Sequence, residues 1–379
     1  MKKALKTIIA IIAAIIALSY IFGYQYLFKG IHKTYLRGET SATIDDGKLF
    51  PNHPIHKGTS KPWIKDSLYN SKKLSKSLID DLEKTNTAAF VVIKEGKLLH
   101  EEYWNDYNAN SQTNSFSMAK GITALLMGKA IEEGKFKSEN QKISDFYENY
   151  KNINFGKEAT IKNLVTMEAG LDWDEAYYNP FGPNAKAYYG NSLAESVLLR
   201  GFKNKPGSKF EYQSGATQLL GFVLRKAINQ PISSYATHKL WVPLGMEQNA
   251  YWTVDDNNME KTFCCIHSNA KDYAKIGQLM LNNGKVDSTQ VINKDYLQQM
   301  RTPTKHSKGA YGYGIWINED ARNKHYYFWG ILGQYIIIVP EKKLVIVRTG
   351  SNNNIVEDSK GRPTQVNFIV DEVIKSLIQ

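Results

Sequence analysis

Residues 115–121 read Ser115-Phe116-Ser117-Met118-Ala119-Lys120-Gly121, which places a hydroxyl and an amine three positions apart at the start of an apolar segment. Side chains at positions i and i+3 of a helix lie on one face, so Ser117 and Lys120 would be neighbours. The residues that would bury this helix are Ile122, Leu125, Leu126, Ala130 and Ile131. Burial disfavours the charged form of an amine. The stretch therefore predicts a serine nucleophile whose proton passes to a neutral lysine base.

The Ser-x-x-Lys pattern also arises by chance, and residues 268–271 repeat it. We interpret Ser268 as a helix cap, because it precedes a segment of helical periodicity over 271–279. Spacing alone does not distinguish the two serines. The assignment of Ser117 therefore depends on the rest of the sequence.

Segments with strand character lie towards both ends of the sequence. Ala88–Lys94 and Lys97–Tyr103 form a hairpin pattern joined at Glu95 and Gly96. Three further strand patterns cover 326–329, 335–339 and 344–349, and an amphipathic helix follows from about Val366 to Leu377. Helical patterns fill the middle, from Ser117 to about Met300. This order predicts an α+β fold, with an antiparallel sheet built from both chain ends, flanked by helices, and an inserted helical lobe.

The N-terminal segment Thr7–Phe28 carries no charged residue, and a run of about 20 apolar residues can span a bilayer. A cleaved signal peptide is the alternative, but bulky residues such as Tyr20 and Phe22 crowd the exit where small residues are expected. The preceding lysines favour a cytoplasmic N-terminus, which puts the rest on the periplasmic side of the inner membrane. We expect an anchor over 1–28, a stalk and leading helix over 29–86, and a hydrolase domain over 87–379.

The net charge of +11 is concentrated near the predicted span, since six basic residues precede Glu39, the first acidic one. Such a collar favours contact with anionic membrane lipid rather than with nucleic acid. His53 and His56 have no carboxylate or thiol in a ligand arrangement, so we expect no metal and no cofactor. Cys264 and Cys265 are adjacent, and because such a bridge is strained we expect two buried thiols rather than a disulfide.

Two later segments could complete a site around Ser117. Tyr212 lies on a turn before a helical run, and its phenol could share a proton with Ser117 and Lys120, since a phenol beside a cation loses its proton more readily. The strand end at 330–334 could bring a backbone N–H to a tetrahedral oxyanion, together with the N–H of Ser117. No Gly-x-Ser-x-Gly stretch occurs, which argues against a Ser-His-Asp hydrolase.

These motifs resemble those of the serine β-lactamase and penicillin-binding protein superfamily. The similarity is greatest on the class C side, in the branch of esterases and 6-aminohexanoate-dimer hydrolases, and it covers residues 87 to 379. The motifs that carry it are Ser117 with Lys120, Gly170–Glu175, Pro206 and Gly207 with Tyr212, Pro243–Met246, Tyr311–Gly314, and Gly330–Gln334. The resemblance implies that Ser117 is the nucleophile, Lys120 the base, Tyr212 a proton relay, and the Ile331 N–H the second oxyanion donor.

Two departures from the family pattern bear on the substrate. Ser214 stands where the second motif usually has Asn, and Phe328 and Trp329 stand where the third motif begins with a cation suited to a substrate carboxylate. The sequence therefore favours a small-molecule ester or amide over penicillin. The expected substrate-binding residues are Trp173, Tyr177, Trp329 and Gly330, with Tyr178 as a further possible wall. Packing explains these aromatics equally well.

A different class of function remains open at this point. The same residues could form a penicillin-binding-like receptor, or a D-amino-acid peptidase or β-lactamase with weak catalysis. The intact set of Ser117, Lys120 and Tyr212 favours an enzyme, since a binding protein has no need of all three. We therefore expect a membrane-anchored serine hydrolase that acts through an acyl-enzyme.

Overall fold

The computed structural model describes residues 1–379. Its helices are α1 (Lys2–Ile21), α2 (Tyr26–Lys33), α3 (Lys76–Lys84), α4 (Met118–Glu132), α5 (Ile161–Val165), α6 (Pro183–Tyr189), α7 (Leu193–Val197), α8 (Ser214–Ile228), α9 (Ile232–Ala236), α10 (Ala270–Leu281), α11 (Lys294–Met300) and α12 (Thr364–Val373). Its strands are β1 (Asn52–Ile55), β2 (Thr87–Lys94), β3 (Lys97–Tyr103), β4 (Thr113–Asn114), β5 (Ala250–Thr253), β6 (Ile266–Ser268), β7 (Lys285–Val286), β8 (Thr289–Gln290), β9 (Trp316–Asn318), β10 (His325–Gly330), β11 (Gln334–Val339) and β12 (Leu344–Gly350).

The main sheet joins the two ends of the chain. Its strand order is β3-β2-β12-β11-β10-β9, and every neighbouring pair is antiparallel. The hairpin between β2 and β3 turns at Glu95 and Gly96, where φ is 50° and 78°. Positive φ at both central residues matches the strand twist of a two-residue hairpin. The predicted α+β fold, with a sheet assembled from both ends and helices between, is confirmed.

Helices cover both faces of this sheet. Consecutive strand residues point to opposite faces, and Ile336 packs near Gly277 of α10 whereas the Tyr335 hydroxyl donates to Gln365 of α12 at 3.3 Å. Phe328 pairs with Ile336 and contacts α4 at Gly121, so α4 lies on the α10 side. The helical lobe thus occupies one face, and α12 with α3 covers the other.

A second, smaller sheet positions the start of α4. Its strand order is β1-β5-β6-β4, and Thr113 of β4 pairs with Ser268 of β6 immediately before the Ser117 stretch. Strand β1 lies within the predicted stalk, 29–86, and pairs along its length with β5. These residues therefore pack on the domain, while the division of the chain at residue 87 stays a prediction.

Two local expectations are wrong. The cap of α10 is Asn269, whose side chain accepts from the Asp272 N–H at 2.9 Å, while Ser268 ends β6 with a buried hydroxyl that has no partner. An amide oxygen one residue later has the better reach to the free N–H of the first turn. Cys264 and Cys265 are bonded to each other, and the backbone turns sharply there, with φ of 74° at Cys265.

No residue of α1 is buried in the protein, and the Tyr20 ring near its C-terminal end stacks on Phe28 of α2 with centroids 6.5 Å apart. Helix α1 is long and apolar enough to cross a bilayer, a property that it shares with signal sequences. The next helix, α2, packs on α6 of the helical lobe. The N-terminal segment is therefore joined to the domain by direct packing.

Candidate active site

Ser117 lies immediately before the first turn of α4, on a sharply turned backbone. Phe116 has φ of 41°, a left-handed conformation that costs energy for a bulky side chain. It is held by burial of its ring and by a hydrogen bond from its N–H to the Asn114 side chain at 2.9 Å. This turn leaves the Ser117 side chain partly exposed, and its backbone N–H donates to no group of the protein.

Lys120 lies one turn further along α4 and is fully buried. Its Nζ is 2.7 Å from Oγ of Ser117 and 3.1 Å from the carbonyl oxygen of Phe263, and it forms no ion pair. Burial lowers the pKa of Lys120 to about 8, and the nearby Glu175 carboxylate partly opposes this shift. Lys120 can therefore gain and lose a proton close to neutral pH.

Tyr212 lies two residues before α8, with its ring centroid 4.8 Å from Nζ of Lys120. Burial holds the pKa of the Tyr212 phenol well above its usual value, although the Ser117 side chain partly opposes this shift. The expectation that a nearby cation makes this phenol more acidic is therefore wrong, because desolvation of the phenolate dominates. Tyr212 stays protonated at neutral pH, which suits it to donate a proton.

The end of β10 lies directly against the nucleophile. A Cβ added at Gly330 would clash with the carbonyl oxygen of Ser115 and lie 3.1 Å from the backbone nitrogen of Ser117. Ile331 follows Gly330 along the chain, and its role as an oxyanion donor stays a prediction. The Trp329 ring packs on Trp316 at 5.1 Å, and Trp316 packs in turn on Tyr212 at 5.5 Å.

Glu175 is a site residue to which the sequence assigns no role. Its carboxylate accepts hydrogen bonds from the Trp173 indole at 2.9 Å, the Tyr177 hydroxyl at 2.6 Å, the Ser214 N–H at 2.7 Å and the Ser214 hydroxyl at 2.6 Å. In the sequence, Glu175 stood out only as the last residue of the Gly170–Glu175 motif. Its contact with Ser214 could not be predicted, because no spacing rule relates residues that lie 39 positions apart. The expected substrate walls Trp173 and Tyr177 are thus held by one carboxylate.

A cleft of about 590 Å³ opens beside Tyr212. Its lining residues are Trp173, Asp174, Glu175, Ala176, Tyr178, Lys203, Glu211 and Tyr212. The charged residues of this lining are three carboxylates and one lysine, namely Asp174, Glu175, Glu211 and Lys203. Lys203 is also paired with Asp172, at 3.0 Å. The cleft is therefore acidic as well as aromatic. Of the expected substrate-binding residues Trp173 lines it, whereas Tyr177, Trp329 and Gly330 lie outside its walls.

Comparison with known families identifies the family to which this fold belongs. The profile of the family described as Beta-lactamase matches residues 76–368, which is most of the chain. The protein belongs to the beta-lactamase family. The resemblance inferred from the sequence motifs is thereby confirmed, and membership of this family supports a hydrolase.

Two individual proteins, both named as 6-aminohexanoate-dimer hydrolases, are similar to this chain over most of its length. The 6-aminohexanoate-dimer hydrolase of Paenarthrobacter ureafaciens is 20% identical over 292 residues, which are 71% of this chain and 74% of that protein. A solved structure from Bacillus anthracis, provisionally named a 6-aminohexanoate-dimer hydrolase, has a TM-score of 0.76 at 21% identity and covers 89% of this chain and 94% of its own.

A class C beta-lactamase structure is also similar, with a TM-score of 0.59 at 17% identity over 79% of this chain and 94% of that chain. At such identities the structural likeness shows the fold. The roles of individual residues in this member of the beta-lactamase family rest on its own geometry.

Proposed function

We propose that the protein is a membrane-anchored serine hydrolase that forms an acyl-enzyme on Ser117 and releases it to water, with a small-molecule ester or amide as substrate. The observation that carries this proposal is the 2.7 Å separation between Oγ of Ser117 and the buried Nζ of Lys120. A hydroxyl becomes a nucleophile when a base of suitable pKa lies within hydrogen-bond reach.

The geometry supports a two-stage reaction. Neutral Lys120 takes the proton of Ser117 as Oγ bonds to the substrate carbonyl carbon, and the carbonyl electron pair moves to oxygen. The N–H groups of Ser117 and Ile331 are the proposed donors to that oxyanion. Collapse of the intermediate breaks the bond to the leaving group, which takes a proton from Tyr212, and Lys120 returns its proton to Tyr212. A water then attacks the acyl carbon and gives a proton to Lys120. The bond between that carbon and Oγ breaks as the second intermediate collapses, and Lys120 returns the proton to Oγ, which restores Ser117 and releases the carboxylic acid.

The walls of the cleft favour an ester or amide without a carboxylate. The strand position at which the family resemblance implies a cation holds Phe328 and Trp329, and the Trp329 ring packs behind the cleft on Trp316, which packs on Tyr212. The three carboxylates of the cleft would repel a substrate anion. We therefore expect short-chain chromogenic esters to be hydrolysed faster than a cephalosporin by orders of magnitude, measured as kcat/KM with the full chain in detergent. Efficient cephalosporin hydrolysis would reverse this order.

Covalent labelling tests the nucleophile. A fluorophosphonate probe should label the wild-type protein, and Ser117→Ala should abolish labelling. Ser268→Ala is the matched control, because Ser268 has a lysine at the same spacing but a buried hydroxyl outside the site. Labelling that persists in Ser117→Ala would exclude Ser117 as the nucleophile. Labelling without turnover of any ester or amide would favour a penicillin-binding-like receptor.

The membrane anchor has its own test. Helix α1 has the length of a bilayer core, and none of its residues is buried within the protein. We expect the full-length chain to stay with membranes after an alkaline carbonate wash, with its N-terminal residues intact. A soluble product that begins beyond residue 28 would identify the segment as a cleaved signal peptide instead.

A further inference from the structure

The end of α1 sets the level at which the helical lobe meets the membrane, if α1 is the anchor proposed above. Helix α1 has 20 residues, which corresponds to about 30 Å of helix, close to the thickness of the hydrocarbon core of a bilayer. Phe22 and Tyr24, just beyond its C-terminal end, would therefore lie in the headgroup layer. Aromatic residues are enriched at that level.

The chain then turns directly onto the helical lobe. The Tyr24 ring contacts the edge of Phe181 with centroids 5.6 Å apart, and the Tyr26 hydroxyl donates to the carbonyl of Pro180 at 3.0 Å. Lys29 pairs with Asp256 at 2.8 Å, so this residue of the predicted lipid-binding collar binds the protein itself. The headgroup layer is about 5–8 Å thick on each side. A ring that touches Tyr24 must therefore lie within or beside this layer.

The segment that reaches this level exposes apolar side chains. Tyr178 is 92% exposed and Phe181 62%, and the nearby Leu199 is 77% exposed. Single exposed apolar residues are ordinary, but several beside the exit of a membrane span form a surface suited to the lipid interface. The same segment follows Glu175 and Ala176, which line the cleft beside Tyr212.

A hollow of about 230 Å³ separates the end of α1 from the start of α6. It is lined by Phe22, Gly23, Tyr24, Tyr26, Phe181, Gly182, Pro183, Lys186 and Arg200. Two basic side chains face it, and no acidic residue does. Its charge and its position therefore suit the phosphate of an anionic phospholipid.

We propose that Tyr177–Pro183, together with Lys186 and Arg200, forms a second membrane contact that rests on the anionic phospholipid surface beside α1. The contact holds the mouth of the cleft at the bilayer surface. A substrate whose apolar part stays in the lipid could then present its ester or amide to Ser117 without leaving the membrane. This inference rests on the proposed anchor.

Fluorescence quenching in vesicles tests the contact. The full chain carrying Tyr178→Cys, labelled with bimane, is reconstituted into phosphatidylcholine and phosphatidylglycerol vesicles that contain a headgroup-nitroxide lipid. The matched control is Val356→Cys, because Val356 is 66% exposed and its carbonyl bonds to the first residue of α12, on the opposite face of the sheet. We expect strong quenching at position 178 and little at position 356.

Charge reversal supplies the second arm. Lys186→Glu combined with Arg200→Glu should reduce quenching at position 178 several-fold in the same vesicles, while the protein still floats with them. Flotation with equal quenching at both positions would overturn the second contact alone. Failure of the wild-type chain to float would overturn the anchor and this inference with it.

Discussion

Glu175 accepts two hydrogen bonds from Ser214, one from its backbone N–H at 2.7 Å and one from its hydroxyl at 2.6 Å. Ser214 is the first residue of α8, so the carboxylate lies at the positive end of a helix of 15 residues. Tyr212 is two residues earlier. The short serine side chain at a position that usually holds Asn thus ties the Glu175 segment to the tyrosine of the site.

Glu175→Gln should shift the pH dependence of activity downwards. The negative charge of Glu175 favours the ammonium form of Lys120 and so raises its pKa. Its removal should lower the pKa of Lys120 below about 8, and kcat/KM should begin to rise at a lower pH. We expect kcat to fall about tenfold, because Ser214 and Trp173 lose a charged acceptor. The measurement is kcat/KM for an ester across the pH range.

Asp174→Asn is the control for this variant. Asp174 lines the same cleft, but its carboxylate is not among the causes of the Lys120 pKa shift. Its pH profile should match the wild type. A Glu175→Gln profile identical to the wild type would mean that Glu175 has no electrostatic effect on Lys120.

Activity of the wild type should rise with pH through about 8, the pKa to which burial lowers Lys120, because only neutral Lys120 accepts the Ser117 proton. Lys120→Arg should lose nearly all activity, since arginine keeps its proton at any accessible pH. Lys129→Arg, on the same helix but ion-paired with Glu132 at 3.1 Å, should remain active. Hydrolysis by Lys120→Arg with an unchanged pH profile would show that Lys120 is structural.

Tyr212→Phe should reduce kcat by about 10²- to 10⁴-fold, the usual contribution of a proton donor, and leave the melting temperature nearly unchanged. Tyr311→Phe is the control, because the Tyr311 hydroxyl is buried near Tyr212 without a hydrogen-bond partner. Its removal should cost neither stability nor rate. Equal rates for the two variants would exclude Tyr212 as the proton donor to the leaving group.

Gly330→Ala should impair both folding and catalysis. The added Cβ meets the carbonyl of Ser115 and the nitrogen of Ser117, so the strand or the nucleophile turn must move. We expect a loss of about 1–3 kcal/mol in the free energy of unfolding, together with slower fluorophosphonate labelling. Gly201→Ala offers a comparison, since its Cβ would lie 3.9 Å from the nearest heavy atom, on Ile153. If Gly330→Ala is labelled at the wild-type rate, the end of β10 is not part of the oxyanion site.

The local parts of this protein could be predicted from its sequence. The pairing of Ser117 with Lys120 follows from helix geometry over three residues, and the β2–β3 hairpin follows from alternating strand patterns joined by Glu95 and Gly96. The order of strand patterns at both ends of the chain with helical patterns between them then indicated the sheet built from both chain ends. In each case the deciding interaction is short in sequence or belongs to a recognisable motif.

Only the tertiary structure decided the surroundings of these groups. The Glu175 bond to Ser214 joins residues 39 apart, and the Lys120 bond to the Phe263 carbonyl joins residues 143 apart, and no periodicity encodes either contact. The high pKa of Tyr212 was missed for the same reason, because a neighbouring cation can be read from a motif whereas desolvation cannot. Desolvation depends on every segment that packs around a group, so it exists only once the whole chain has folded.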